Sequence, residues 1–144
     1  MLEIKNLTKI YPRGKKKALN GVNIEIGQGI FGLIGRNGAG KTTLIKNLAA
    51  RYRSEGKTVL VTTTTHMFIE EDSLLTEDAA VMLDALRKDG YVFAGIPEGV
   101  KIKALPASVY AEVCMAADVV LVEADGAKHM PLKFPKETEP VIPD

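Results

Sequence analysis

Apolar and polar positions alternate at the start of the chain, then give way to apolar runs and to helical spacing. Leu2-Glu3-Ile4 and Val22-Asn23-Ile24-Glu25-Ile26 alternate as half-buried strands do, with Gly21, Gly27 and Gly29 punctuating them. Ile30-Phe31-Gly32-Leu33-Ile34 is nearly all apolar, the pattern of a strand covered on both faces in a parallel sheet. From Thr42 the apolar residues Leu44, Ile45, Leu48 and Ala49 recur at helical spacing, and Gly56 marks the stop. A second cycle predicts a strand over 58–61 and a helix over 77–88, with Glu77 and Asp78 in its first turn, Arg87 and Lys88 in its last, and Gly90 closing it. Tyr91 to Ala94 reads as a third short strand, Lys101 to Leu105 as a hairpin arm, Ala107 to Ala117 as an apolar-rich helix, and Val119 to Val122 as a strand. After Gly126, Pro131, Pro135, Pro140 and Pro143 argue against regular structure. Together these elements predict a three-layer α/β sandwich with a mostly parallel sheet and an antiparallel β section at its amino terminus.

The 144 residues fit one domain, long enough to bury about two-thirds of the surface that the unfolded chain exposes. Nineteen Lys and Arg stand against 18 Asp and Glu, a formal charge of +1, so no global field favours nucleic acid or an anionic membrane surface. Cys114 is the only cysteine. That excludes an internal disulfide and a thiolate-rich metal site, and suits a reducing cytoplasm. The longest apolar stretches are too short to span a bilayer, so membrane insertion is not expected.

The chemistry concentrates in one motif. Gly35-Arg36-Asn37-Gly38-Ala39-Gly40-Lys41-Thr42 matches G-x-x-x-x-G-K-[ST], and it lies between a predicted buried strand and a predicted helix. In such a phosphate-binding loop, glycines let successive backbone N–H groups point at phosphate oxygens, and the helix contributes its positive end. Lys41 is expected to reach the β and γ phosphates, and the Thr42 hydroxyl to ligate Mg²⁺. These features predict a P-loop NTPase fold whose ligand is a nucleoside triphosphate.

Asp118-Val119-Val120-Leu121-Val122-Glu123-Ala124-Asp125-Gly126 is an apolar strand that delivers two carboxylates at its carboxyl end, where open α/β sheets place ligands. Glu123 and Asp125 share a strand face. One carboxylate would hold Mg²⁺ through water while the other orients or deprotonates the nucleophile, and the spacing allows either assignment. Read blandly, both are solvated residues of a loop that follows a strand. Thr62-Thr63-Thr64-Thr65-His66 is expected on the same rim, where hydroxyls can sense a γ-phosphate or its metal; equally, threonines simply extend strands. His66 is a candidate for proton transfer, with a satisfied surface histidine as the other reading. Cys114 reads as buried filler, and Lys15-Lys16-Lys17 as a solvated hairpin loop.

Two resemblances attach to these residues. Leu7-Thr8-Lys9-Ile10-Tyr11, the segment Ala18 to Ile26, and Ile30 through Leu44 resemble the amino-terminal third of an ABC transporter ATPase subunit, over about residues 1–48. That resemblance implies adenine stacked on Tyr11, which can otherwise be read as a packing tyrosine. No Leu-Ser-Gly-Gly-Gln signature, glutamine loop or switch histidine follows, so an ordinary ABC motor is not expected. Instead, the segment Gly56 to His66, the segment Ala117 to Lys128, Pro131-Leu132-Lys133 and Glu139-Pro140-Val141-Ile142-Pro143 resemble the YqeC-type accessory proteins of selenium-dependent molybdenum hydroxylases, over about residues 54–144. The second resemblance implies site roles for Thr64, His66, Glu123, Asp125, Lys128 and Lys133, the two lysines contacting phosphate or an anionic substrate. That family normally continues past the last of these segments, which implies a sheet edge suited to a partner or a second copy.

The sequence thus predicts a single P-loop nucleotide-binding domain over residues 1–144, an ABC-like section followed by a YqeC-like one. The nucleotide-binding residues are Tyr11, Gly35, Asn37, Gly38, Ala39, Gly40, Lys41, Thr42, Thr43, Thr64, His66 and Lys128. Thr42, Glu123 and Asp125 are the expected metal-binding set, and Lys41, Glu123 and Asp125 the catalytic one. The expected function is an ATP- and Mg²⁺-dependent accessory factor in selenium or molybdenum hydroxylase cofactor maturation. The alternatives are a fragment of the ABC ATP-binding type, or a module that binds nucleotide without hydrolysing it.

Overall fold

The computed structural model describes residues 2–11, 16–26, 29–35 and 40–125. Its elements in chain order are β1 (Leu2–Tyr11), β2 (Lys16–Ile26), β3 (Gly29–Gly35), α1 (Lys41–Ser54), β4 (Val59–Thr63), β5 (His66–Phe68), β6 (Ser73–Leu74), α2 (Ala79–Asp89), β7 (Tyr91–Ala94), β8 (Ile96–Glu98), β9 (Lys101–Lys103), α3 (Ala107–Cys114) and β10 (Val119–Asp125). A parallel sheet of order β3-β10-β4-β7-β6 forms the middle layer. The α/β sandwich predicted from the sequence is the fold observed.

The odd and even residues of the central strands explain the three layers. In β4 and β10, Val59, Val61, Val119 and Leu121 point to one face, where they pack with Leu44, Ile45, Leu48, Ala49 and Tyr52 of α1. Leu60, Val120 and Val122 point to the other, against Met82 and Leu86 of α2 and Tyr110 and Val113 of α3. Val59 to Val61 and Val119 to Val122 are therefore continuous apolar runs, as expected of strands covered on both faces. β3 is different: it stands at the sheet edge, and Ile30 remains 40% exposed, so the expectation of cover on both faces fails there.

β1 and β2 pair antiparallel as a separate two-stranded sheet, and Ile4, Leu7, Leu19 and Ile24 pack against the α1 side of the core. Lys16 and Lys17 are not loop residues: they open β2, opposite Tyr11 and Ile10, while Lys15 lies outside the described residues. The small antiparallel sheet β5-β9-β8 contains the expected hairpin arm. Helix α2 begins two residues later than its acidic cluster suggests. Asp78 is its N-cap, accepting from the Ala80 N–H at 2.9 Å, and Glu77 precedes it, because a carboxylate stabilises the first turn best by capping it. Gly90 closes α2 in the left-handed conformation, φ 66°. Helix α3 stops at Cys114, three residues short of the expectation, and Cys114 is half-buried instead of core. Among the described residues no helix is long and apolar enough to cross a membrane.

Candidate functional site

Parallel strands bring their carboxyl ends to one rim, and the candidate residues converge there through register. Gly35, the last residue of β3, lies opposite Asp125, and Glu123 lies opposite Leu33 on one side and Thr63 on the other. Eighty-one positions separate Thr42 from Glu123, yet the Thr42 hydroxyl donates to Glu123 Oε2 at 2.8 Å. Glu123 is 8% exposed, so it is not the solvated loop residue of the bland reading. Thr63 fixes the same strand from the side: its hydroxyl donates to the Glu123 carbonyl at 3.0 Å and accepts from the Thr65 N–H at 2.9 Å. The Thr64 N–H also donates to the Glu123 carbonyl, at 3.0 Å. Thr63 is the contributor that the sequence reading named only as part of a run; no composition signal separates it from its neighbours.

Gly40 is the N-cap of α1, with φ 88°; as a glycine it brings no side-chain cap, and no acidic residue stands in the first turn. Gly40 has a second constraint, since a Cβ there would sit 2.8 Å from Leu19 Cγ. The hairpin therefore packs directly onto the turn that begins the helix. Lys41, Thr42 and Thr43 follow as the first three helical residues, in the turn whose backbone N–H groups have no intrahelical acceptor.

Other candidates fall elsewhere or outside the description. Tyr11 ends β1 opposite Lys16, and Asp125 ends β10; neither side chain is described. Asn37, Gly38, Ala39, Lys128 and Lys133, and Arg36 of the motif, lie outside the described residues. His66 begins β5 in the small antiparallel sheet, where its Nε2 meets Glu98 Oε2 at 2.7 Å, and Lys103 Nζ lies 3.3 Å from Glu98 Oε1. The hydrogen bonds from His66 and then Lys103 hold the Glu98 carboxyl below its ordinary range. The structure thus joins His66 to Glu98 and Lys103, not to Thr42. The Thr62 and Thr64 hydroxyls are buried without a hydrogen-bond partner among the described residues.

A hydroxyl and a buried carboxylate in contact are two hard oxygen donors, the type and small number that Mg²⁺ takes from protein when phosphates and water complete its shell. Among the described residues no cluster of three or more His, Cys, Asp or Glu side chains exists to hold a metal without such a ligand.

The sequence pattern of the YqeC protein family matches residues 34–144. The protein YqeC of Escherichia coli (strain K12) is 37% identical over 115 residues, covering 72% of this chain and 44% of that protein. The methionine import ATP-binding protein MetN 1 of Paraburkholderia xenovorans (strain LB400) is 38% identical over 97 residues, 65% of this chain and 26% of that protein. The galactose/methyl galactoside import ATP-binding protein MglA of Treponema denticola is 52% identical over 58 residues, 39% of this chain and 11% of its own length. The chain spans less than half the length of these curated relatives. No solved structure matches it.

Proposed function

The chain belongs to the YqeC protein family, and from that premise we propose that it binds ATP with Mg²⁺ at the start of α1 and serves as a nucleotide-dependent accessory factor in hydroxylase cofactor maturation. The observation that carries the reading is the Thr42–Glu123 hydrogen bond, 2.8 Å, at the carboxyl rim of a parallel sheet. It joins the last residue of the phosphate-loop motif to the acidic strand, as a P-loop site requires. The glycine N-cap of α1, which brings no side chain to the helix start, supports it, as does likeness to import subunits whose names include ATP-binding.

In this reading the backbone N–H groups of Lys41, Thr42 and Thr43 face phosphate oxygens, and the Lys41 ammonium neutralises the outer phosphates. Thr42 and Glu123 hold Mg²⁺, which when bound supplies charge neutralisation to the β and γ phosphates. Asp125, two residues on, positions the attacking group, and Tyr11 stacks on adenine. The Thr63 hydroxyl and the Thr64 N–H keep Glu123 from drifting by holding its carbonyl. Cytoplasmic location and a protein or second-copy partner belong to the same proposal.

ATP binding and turnover by the purified chain, with Lys41→Ala as control, test it. A saturating shift in melting temperature with Mg-ATP is expected, worth about 2.7 kcal/mol at a hundred times the dissociation constant. Turnover that disappears in Lys41→Ala supports an enzyme. No shift in the parent, or an equal shift in both proteins, refutes nucleotide binding at this site.

A further inference from the structure

Among the described residues, the hairpin β1–β2 shares no hydrogen-bonded ladder with another strand; Ile4, Leu7, Leu19 and Ile24 seat it on the α1 side of the core. Leu19 differs from the other three in what it touches. A Cβ built on Gly40 would lie 2.8 Å from Leu19 Cγ and 3.2 Å from each of its two methyl carbons, and these are the three nearest heavy atoms. The branched end of Leu19 therefore occupies the place of the side chain that Gly40 lacks.

Glycine permits the φ of 88° at Gly40 but does not enforce it, because it reaches both signs of φ about equally well. Packing has to do the enforcing. The Gly40 conformation aims two groups: its own carbonyl, which accepts from the Leu44 N–H at 3.0 Å and opens the α1 ladder, and the next peptide, which carries the Lys41 N–H. A left-handed residue at a turn is also the geometry in which successive N–H groups converge on an anion. Truncating Leu19 removes the contact on the open side of Gly40 and lets that geometry relax.

We infer that Leu19 is a positioning residue for the phosphate site proposed at the start of α1, a role that rests on that reading: its side chain holds Gly40 left-handed and so fixes the direction of the first N–H groups of the helix. The hairpin thereby serves the site through its packing as well as through Tyr11. Leu19 stands opposite Lys9, two residues before Tyr11 ends β1, so one short element reaches both the phosphate loop and the residue proposed to stack on adenine.

Mg-ATP and Mg-tripolyphosphate, which has the phosphates without base or sugar, are the probes, titrated into the full chain by calorimetry. Leu19→Ala is expected to weaken both about tenfold. Leu19→Val, a smaller truncation that serves if the alanine variant does not fold, should weaken both about threefold. Leu7→Ala removes the same side chain from the same hairpin at a position that is not nearest Gly40, and should lower melting while changing either affinity by no more than about twofold. Hydrogen exchange adds a readout with no ligand present. In the Leu19 variants the Leu44 amide, bonded to the Gly40 carbonyl, should exchange faster relative to the Leu48 amide one turn on, by about tenfold for alanine, whereas Leu7→Ala should move the two together. Weakening of ATP alone would put Leu19 on the base side of the site and overturn the inference, as would equal weakening by Leu7→Ala or a Leu44 amide no faster relative to Leu48. A parent that binds neither probe refutes nucleotide binding here, and the Leu44 exchange still decides whether Leu19 holds Gly40. A parent that binds both, with Leu19→Ala binding them unchanged, overturns the Leu19 role alone.

Discussion

Replacing Thr42 by valine removes one hydroxyl at nearly constant shape and asks how much the contact between helix and acidic strand contributes. The lost hydrogen bond, 2.8 Å long, ends on the carboxylate of a residue 8% exposed. A hydrogen bond to a charged group contributes about 1.5–3 kcal/mol, and its removal leaves the carboxylate short of a donor where water enters poorly. Both residues are β-branched with similar helix propensity, so little of the effect comes from the helix itself. At about 2–4 °C per kcal/mol for a chain of this size, melting should fall by roughly 3–12 °C. Urea unfolding of Thr42→Val, Glu123→Ala and the double variant forms the cycle that isolates the pair. In the Glu123→Ala background the Thr42 substitution should cost no more than about 0.5 kcal/mol, the noise of such cycles. An equal cost in both backgrounds would refute the pairing, and with it the argument that Glu123 belongs to the nucleotide site.

Gly40→Ala should destabilise the chain by about 2–3 kcal/mol, from a left-handed φ of 88° and the 2.8 Å approach to Leu19 Cγ. Urea unfolding checks this, and a Leu19→Ala background should restore part of the loss; a neutral Gly40→Ala would contradict the close packing of hairpin and helix. At the opposite rim, Asp118 Oδ2 accepts from the Thr58 N–H at 2.8 Å and the Thr58 hydroxyl at 2.9 Å, and these two bonds lower the Asp118 carboxyl. A lowered folded pKa gives stability that is present above the unfolded value, about 4, and is lost as pH falls through the folded one. Asp118→Ala should therefore melt lower than the parent at neutral pH, by no more than about 1 kcal/mol at this exposed site. Melting curves across pH should show the gap closing below about pH 4, and a gap independent of pH would contradict the assignment.

Much of the fold was legible because periodicity is local. Leu44, Ile45, Leu48 and Ala49 repeat as a helix must, and all four are buried in α1. The Val119-to-Val122 run belongs to a strand buried on both faces, and β10 is central in the sheet. Ile30 to Leu33 is likewise free of polar side chains but stands at an edge, since strand order depends on long-range pairing that composition does not encode. The loop motif was legible as a motif, because its glycine, lysine and threonine stand at fixed spacing within eight residues. Tertiary structure alone brought Glu123 to Thr42: parallel register sets Glu123 beside Thr63 and within reach of α1, across 81 positions of chain. It also divided the threonine run. The Thr63 hydroxyl holds the Glu123 carbonyl while those of Thr62 and Thr64 are buried without a partner among the described residues, a difference no property of four identical side chains could reveal.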